Sequence, residues 1–139
     1  MVRDFREDGI GVFEAGGRSR RVLELIADRW AVLAVSALSE GTKRHNQLHR
    51  EIEGISQKML TKTLRSLERD GLVRREVHPV VPPRVEYSLT PLGESLIGIL
   101  SELCAWAEEH IDEVEAARKH YDALNKKGNL SDEESGSNA

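Results

Sequence analysis

The pair of short amphipathic segments on either side of Gly54 constrains the fold more than any other feature of this 139-residue chain. Apolar residues recur at helical spacing over residues 45–52 and again over 56–70, with only three residues between the two segments. A short turn that contains glycine between two such helices is typical of a helix-turn-helix. Ser56 is placed to cap the second helix, and Gly71 to end it. The spacing therefore predicts a helix-turn-helix near the middle of the chain.

Two β-like segments follow this pair of helices. Residues 72–77 and 84–89 read LVRREV and RVEYSL, and the intervening HPVVPP contains prolines that exclude a helix. This pattern predicts a two-stranded antiparallel wing with a splayed tip. Thr90 and Pro91 then begin a long helix, with Thr90 as its N-cap and Pro91 at the first helical position.

Two further helices are predicted before the pair, over residues 18–27 and 30–38. The fold class that results is mainly α with a small two-stranded β-wing, a winged helix-turn-helix with extra N- and C-terminal helices. The length suits one domain, which we expect over residues 18–124. Residues 1–17 are expected to form a flexible arm, and residues 125–139 a disordered polar tail.

The composition excludes several classes of protein. Cys104 is the only cysteine, and no Cys/His spacing matches a zinc site, so neither a metal nor a cofactor is expected. No nucleophile–base pair or glycine-rich phosphate loop indicates an enzyme. The longest apolar stretch, residues 30–38, is too short to cross a bilayer, and we expect a cytoplasmic protein without membrane contact.

The formal net charge of −4 conceals a strong division along the chain. Residues 43–84 contain ten basic and five acidic side chains, a balance of +5, and the remainder therefore carries −9. A cationic central segment in an acidic chain favours a nucleic-acid partner for that segment alone.

The second helix of the pair concentrates this charge on one side when its residues are placed about 100° apart. The face predicted to be buried comprises Met59, Leu60, Thr63, Leu64 and Leu67. The opposite face comprises Lys58, Thr61, Lys62, Arg65 and Arg69. Any amphipathic helix has a charged outer face. The near absence of acid, the position in the pair and the wing that follows nevertheless favour a DNA-binding surface.

These segments resemble the HxlR family of bacterial winged-helix transcription regulators. The resemblance runs from about Arg20 to Trp106 and is carried by LELIADRWAVLAVSAL, by PPRVEYSLTPLG and by the aromatic residue at 106. It implies a homodimeric regulator, expected to be a repressor, on a pseudo-palindromic operator in double-stranded DNA. It also implies that helix 18–27 and the long helix from Leu92 to about residue 124 form the dimer interface. The interface residues predicted in this way are Val22, Leu23, Leu96, Leu100, Leu103, Trp106, Ile111 and Val114.

Within this interpretation the recognition helix lies in the major groove, where base reading is expected from Gln57, Lys58, Thr61 and Arg65. Arg84 in the wing is expected to enter an adjacent minor groove. The full set of predicted DNA-binding residues is Arg44, Asn46, Gln47, Ser56, Gln57, Lys58, Thr61, Lys62, Arg65, Arg69 and Arg84.

Other interpretations remain open at this point. The basic face could bind an acidic protein, which would make the chain a winged-helix interaction module. A small-molecule effector could bind near Trp30, Trp106 and Cys104, although packing explains the same apolar residues. Many family members sense oxidants with a cysteine at the position of Gly17, so that role does not transfer to this chain. For Cys104 a small buried apolar role is favoured over redox sensing.

Overall fold

The computed structural model describes the backbone of residues 17–136 and the side chains of residues 17–128. The predicted arm, apart from Gly17, lies outside this range. The chain divides into two compact units at Leu100, which we call the winged-helix unit and, from Ser101 on, the α6 unit. In chain order the elements are α1 (Arg18–Ala27), α2 (Arg29–Leu38), β1 (Lys43–Arg44), α3 (His45–Glu51), α4 (Gln57–Arg69), β2 (Val73–His78), β3 (Arg84–Leu89), α5 (Pro91–Glu94) and α6 (Ile97–Gly136).

Helices α2 and α4 provide most of the hydrophobic core of the winged-helix unit. The carboxylate of Asp28 starts α2 by accepting the backbone N–H groups of Trp30 and Ala31 at 2.9 and 3.1 Å. The predicted inner face of α4 is buried, except that Met59 lies exposed at its edge. The buried apolar residues are Ala31, Ala34, Val35, Leu38, Leu48, Ile52, Ile55, Leu60, Leu64, Leu67, Leu72, Val73 and Leu100.

The helix-turn-helix has the predicted ends. Gly54 in the turn has a φ of +88° and Gly71 after α4 has a φ of +78°, conformations that side chains with a Cβ rarely adopt. The hydroxyl of Ser56 accepts the backbone N–H of Met59 at 3.0 Å and so caps α4. These local contacts set the direction in which α4 leaves the turn.

The wing belongs to a three-stranded antiparallel sheet in the order β1-β3-β2, so the prediction of two strands was incomplete. Strand β1 pairs Lys43 with Tyr87 and Arg44 with Glu86. It contains two charged residues and no apolar alternation, so the sequence pattern could not reveal it. Strands β2 and β3 agree with the predicted segments to within one residue.

The long helix predicted from Pro91 is interrupted. Thr90 caps α5 by accepting the backbone N–H of Gly93 at 3.1 Å, but α5 ends at Glu94 and α6 begins at Ile97. The N–H of Leu96 bonds to the carbonyl of Gly93 at 3.1 Å, a three-residue spacing that tightens the turn. Gly93 packs against the backbone of Leu72, where a Cβ would overlap its carbonyl oxygen. This close approach holds the turn against the sheet.

Helix α6 extends beyond the predicted boundary at residue 125. Its backbone is helical as far as Gly136, so most of the segment expected to be a disordered tail is helical in the structure. Residues 125–128 are exposed. Good helix formers such as Lys126 and Lys127 permit the helix to continue.

Candidate nucleic-acid interface

The outward face of α4 presents a continuous cationic surface. Lys58, Lys62, Arg65 and Arg69 are all exposed, and we call these four residues the cationic face. Gln57 is exposed at the N-terminal end of the same surface. The caps of α4 and the buried leucines on its inner side hold this face toward solvent. The angular prediction for these side chains is confirmed.

Thr61 lies in the same row but is half-buried, because it contacts the helix that precedes the turn. Its hydroxyl lies 3.0 Å from Nε2 of His45, the first residue of α3. Burial and, to a smaller extent, the nearby His49 lower the pKa of His45 below its usual value. The neutral ring that results retains one donor and one acceptor nitrogen. His45 therefore positions the Thr61 side chain.

The inner face of the sheet continues the surface on one side of α4. Arg75 of β2 and Tyr87 of β3 are register partners and share this face. Together with Thr61, Arg65 and Glu68 they line a small cleft between α4 and the sheet. Nε of Arg75 lies 3.3 Å from Oε2 of Glu68. Helix α4 and the wing thus share a polar cleft as well as an apolar core.

Lys43 does not contribute to the cationic surface, although it belongs to the basic segment of the sequence. It is 5% exposed, and its Nζ lies 2.6 Å from Glu40 and 2.5 Å from Glu51. Burial alone lowers the pKa of Lys43, but its hydrogen bonds and Coulombic attraction to the two carboxylates raise this pKa above its usual value. The lysine remains charged and holds β1 against the neighbouring helix.

The remaining predicted DNA-binding residues are Ser56, the exposed N-cap of α4, and residues of α3 and of the sheet. Arg44, the last residue of β1, and Asn46 of α3 are exposed, and Gln47 of α3 is half-buried. Arg84 is not free in the wing, because its Nε lies 3.0 Å from Oε1 of Glu86. His78 approaches the same carboxylate at 3.2 Å. Entry of Arg84 into a minor groove therefore requires it to leave Glu86.

Sequence reasoning missed Arg75, Tyr87 and His45 as neighbours of the recognition surface. A signal for the first two was available, since alternation along β2 places Arg75 on the same side as the buried Val73. The contact of His45 with Thr61 depends on the angle between α3 and α4, which no local pattern encodes.

The predicted dimer-interface residues separate into two groups. Val22, Leu23, Leu103, Trp106 and Ile111 are exposed in the single chain, and Val114 is half-buried. Leu100 is only 4% exposed and belongs to the core of the winged-helix unit, and Leu96 packs against that core. Leu100 is therefore engaged in the core of the single chain, unlike the exposed members of the predicted interface.

Cys104 is exposed, which contradicts the prediction that it is a small buried residue. It lies in the α6 unit, where the neighbouring Leu103 and Trp106 are also exposed. The ring of Trp106 stacks on His110 with centroids 4.6 Å apart. Hydrophobicity alone predicted burial here, but the single chain offers these side chains no core.

Among the described residues, no group of three or more His, Cys, Asp or Glu side chains has the arrangement needed to hold a metal ion. The helices over the same part of the chain include none that is both long and apolar enough to span a membrane.

Comparison with known proteins agrees with this geometry. The HTH-type transcriptional regulator YtfH of Escherichia coli strain K12 is 50% identical over 100 residues, which cover 72% of this chain and 79% of that protein. The structure of the transcriptional regulator ytfH from Salmonella typhimurium matches with a TM-score of 0.72 and 45% identity, over 77% of this chain and 96% of the other. The redox regulator HypR in its reduced form matches with a TM-score of 0.66 and 40% identity, over 70% and 96% of the two chains.

These three relatives are described as regulators and not as enzymes. The family model of HxlR-like helix-turn-helix proteins matches residues 25–115, a range that contains the helix-turn-helix, the sheet and the first half of α6. The chain therefore belongs to the HxlR-like helix-turn-helix family.

Proposed function

We propose that this helix-turn-helix transcriptional regulator acts in the cytoplasm as a homodimer that binds an operator with the cationic face of α4 in the major groove. The observation that carries the proposal is the exposure of four basic side chains along the outward side of the second helix of the pair. A B-DNA major groove about 12 Å wide admits one α-helix of this kind. As a repressor, the bound dimer would block a promoter that overlaps its operator.

Recognition of bases falls to the outward side of α4 between Gln57 and Arg65. Gln57 suits adenine, and Lys58 and Arg65 suit guanine, through paired donors and acceptors in the major groove. Lys62 and Arg69 lie on the side of the helix away from the wing and suit backbone phosphates. Ser56 is engaged as the helix cap, which leaves its hydroxyl hydrogen for a phosphate oxygen.

Dimer formation is supported by the apolar side chains of the α6 unit. Leu103, Trp106 and Ile111 are each about half exposed in the single chain (54%, 55% and 46%). Burying such a stripe against a second copy removes apolar surface from water. A two-fold symmetric dimer would then present two copies of α4 about 34–36 Å apart, which matches successive major grooves.

The proposal is tested by selecting bound sequences from random duplexes and measuring affinity by fluorescence anisotropy. We expect Arg65→Ala to weaken operator binding by about 1–3 kcal/mol, roughly 5- to 150-fold. Arg118→Ala, on the exposed surface of α6, is the matched control and should bind like the wild type. An effector is sought by repeating the measurement with candidate small molecules.

Salt dependence separates this function from the interaction module. Binding through several phosphates weakens log-linearly with salt and favours one sequence over random duplex. A selection that enriches no sequence would instead support an acidic protein partner for the cationic face.

A further inference from the structure

The cleft between α4 and the sheet is a polar site that contains Arg75 and Tyr87, two residues that the proposed function does not use. It encloses about 280 Å³ and is lined by Thr61, Arg65, Glu68, Arg75 and Tyr87. The lining of the cleft therefore contains two guanidinium groups, two hydroxyl groups and one carboxylate. The excess of hydrogen-bond donors over acceptors favours an anion as the natural occupant.

We propose that this cleft binds one phosphate of the DNA backbone through Arg75 and Tyr87, and that Glu68 holds Arg75 when no DNA is bound. The proposal rests on the proposed function, since it takes α4 to lie in the major groove. It adds a contact from the inner face of the sheet, distinct from the tip of the wing.

The position of Arg75 beside the helix makes a phosphate the expected partner. An α-helix with its side chains is about 10–12 Å across, close to the width of the major groove. Base edges therefore lie along the outward row of α4, whereas the flanks of the helix meet the two phosphate backbones that border the groove. Thr61 and Glu68 lie on the edge of α4 that faces the sheet, and Arg75 lies beyond it, whereas Arg65 also belongs to the outward row.

The ion pair between Arg75 and Glu68 is weak enough to exchange. The two side chains are 46% and 39% exposed, and Nε of Arg75 lies 3.3 Å from Oε2 of Glu68. Exposed pairs of this kind contribute only about 0–1 kcal/mol. A phosphate offers the planar guanidinium a charge-assisted, two-point contact that is stronger than this single approach.

Tyr87 supplies a second donor at the same place. Burial raises the pKa of Tyr87, Arg75 and Arg65 act in the opposite direction, and Glu68 adds to the rise. The same three charged groups line the cleft together with the phenol. The hydroxyl therefore keeps its proton and can donate to a phosphate oxygen.

Glu68 and Arg75 allow a test in which two substitutions should change the DNA affinity in opposite directions. It is the acidic residue on the edge of an otherwise cationic helix surface, so a phosphate in the cleft must displace it from Arg75. Removing its charge should favour the DNA-bound state, whereas removing Arg75 should disfavour it. Because a phosphate carries no sequence information, both changes should act equally on operator and random duplex.

The experiment measures binding of Arg75→Gln and Glu68→Gln to the selected operator and to a random duplex over a range of salt concentrations. For Arg75→Gln we expect roughly five-fold weaker binding to both duplexes at 0.15 M salt and a salt slope smaller by about one. For Glu68→Gln we expect tighter binding to both. Arg74→Gln is the matched control, because Arg74 is adjacent in β2 but lies on the opposite face of the sheet.

A neutral methylphosphonate placed at single positions of the operator identifies the phosphate itself. At one position in each half-site, this replacement should weaken binding of the wild type. At the same position it should not weaken binding of Arg75→Gln any further, because that variant already lacks the contact. Weaker binding by Glu68→Gln, or an Arg75→Gln slope equal to that of Arg74→Gln, would overturn the proposal. If Arg65→Ala also bound like the wild type, the placement of α4 in the groove would fail as well, so the two failures are distinguishable.

Discussion

The two units of the chain differ in how far they bury apolar side chains. In the winged-helix unit Leu60 and Leu64 of α4 are at most 1% exposed. In the α6 unit Leu103 and Trp106 remain more than half exposed at 54% and 55%. The winged-helix unit therefore buries a hydrophobic core within one chain, whereas the α6 unit leaves an apolar stripe exposed, which we propose a second copy covers.

The two units also differ in the charge of their exposed side chains. The winged-helix unit presents the cationic face of α4, whereas the α6 unit is rich in exposed acid. The acidic residues in the first half of this unit are Glu102, Glu108, Glu109, Asp112, Glu113 and Glu115. Acidic surface repels the phosphate backbone, so the winged-helix unit is the part of the described structure suited to approach DNA.

The largest expected effect tests whether the core belongs to the winged-helix unit. Leu60→Ala removes a fully buried side chain from α4 and should lower the free energy of unfolding by about 2–5 kcal/mol, through lost burial and the cavity left behind. Denaturant unfolding measures this. Leu103→Ala in the α6 unit should change the unfolding of dilute monomer by less than about 0.5 kcal/mol. Equal losses of unfolding free energy in the two variants would contradict the assignment of the core to the winged-helix unit.

The next effect concerns assembly. Trp106→Ala should weaken the dimer by about 2 kcal/mol, roughly 30-fold in its dissociation constant, because large aromatic residues dominate interfaces of this kind. Sedimentation equilibrium measures the constant. Leu33→Ala is the control, since Leu33 is a similarly exposed apolar residue of α2 in the winged-helix unit (44%). A wild type that stays monomeric at micromolar concentration would contradict the prediction.

Much of the fold could be predicted because its signals are local. The caps at Ser56 and Thr90, the glycines at 54 and 71 and the alternation along β2 and β3 each depend on a few neighbouring residues. The outward face of α4 followed from helical periodicity alone. These features need no knowledge of the rest of the chain.

What could not be predicted depends on contacts between distant segments. Lys43 adds to the count of basic residues in the sequence, but in the folded chain it is buried and forms ion pairs with Glu51 and Glu40. Arg75 reaches the recognition surface only because the sheet packs beside α4. The break between α5 and α6 arises where Gly93 meets the backbone of Leu72. Local periodicity continues through this point and so indicated one helix.

A smaller effect compares one glycine from each unit. Gly93→Ala should destabilise the winged-helix unit by about 1–3 kcal/mol, because the new Cβ would overlap the carbonyl oxygen of Leu72. A Cβ added at Gly128 in α6 would lie in open space. Because alanine has a better helix propensity than glycine, Gly128→Ala should stabilise the helix by up to about 1 kcal/mol. Thermal unfolding and helix content by circular dichroism test both signs. A Gly93→Ala variant as stable as the wild type would show that the close approach to Leu72 does not hold the α5–α6 turn.

The smallest effect is a dependence on pH that distinguishes a half-buried histidine of the winged-helix unit from an exposed one of the α6 unit. Because the pKa of His45 is lowered in the folded protein, the unfolded chain takes up this proton first as the pH falls. The contribution of neutral His45 to stability is therefore complete above about pH 6.5 and is lost as the pH falls toward the lower folded pKa.

Denaturant unfolding between pH 5 and 8 tests this dependence. His45→Gln can keep a hydrogen bond to Thr61 but cannot take up a proton, so its stability should fall less than that of the wild type below pH 6.5. His120→Gln, at an exposed position of α6, should follow the wild type. Parallel curves for all three proteins would contradict the assignment. A protonated His45 can only donate, so the Thr61 hydroxyl would have to accept, and the surface that α4 offers to DNA would change along with stability.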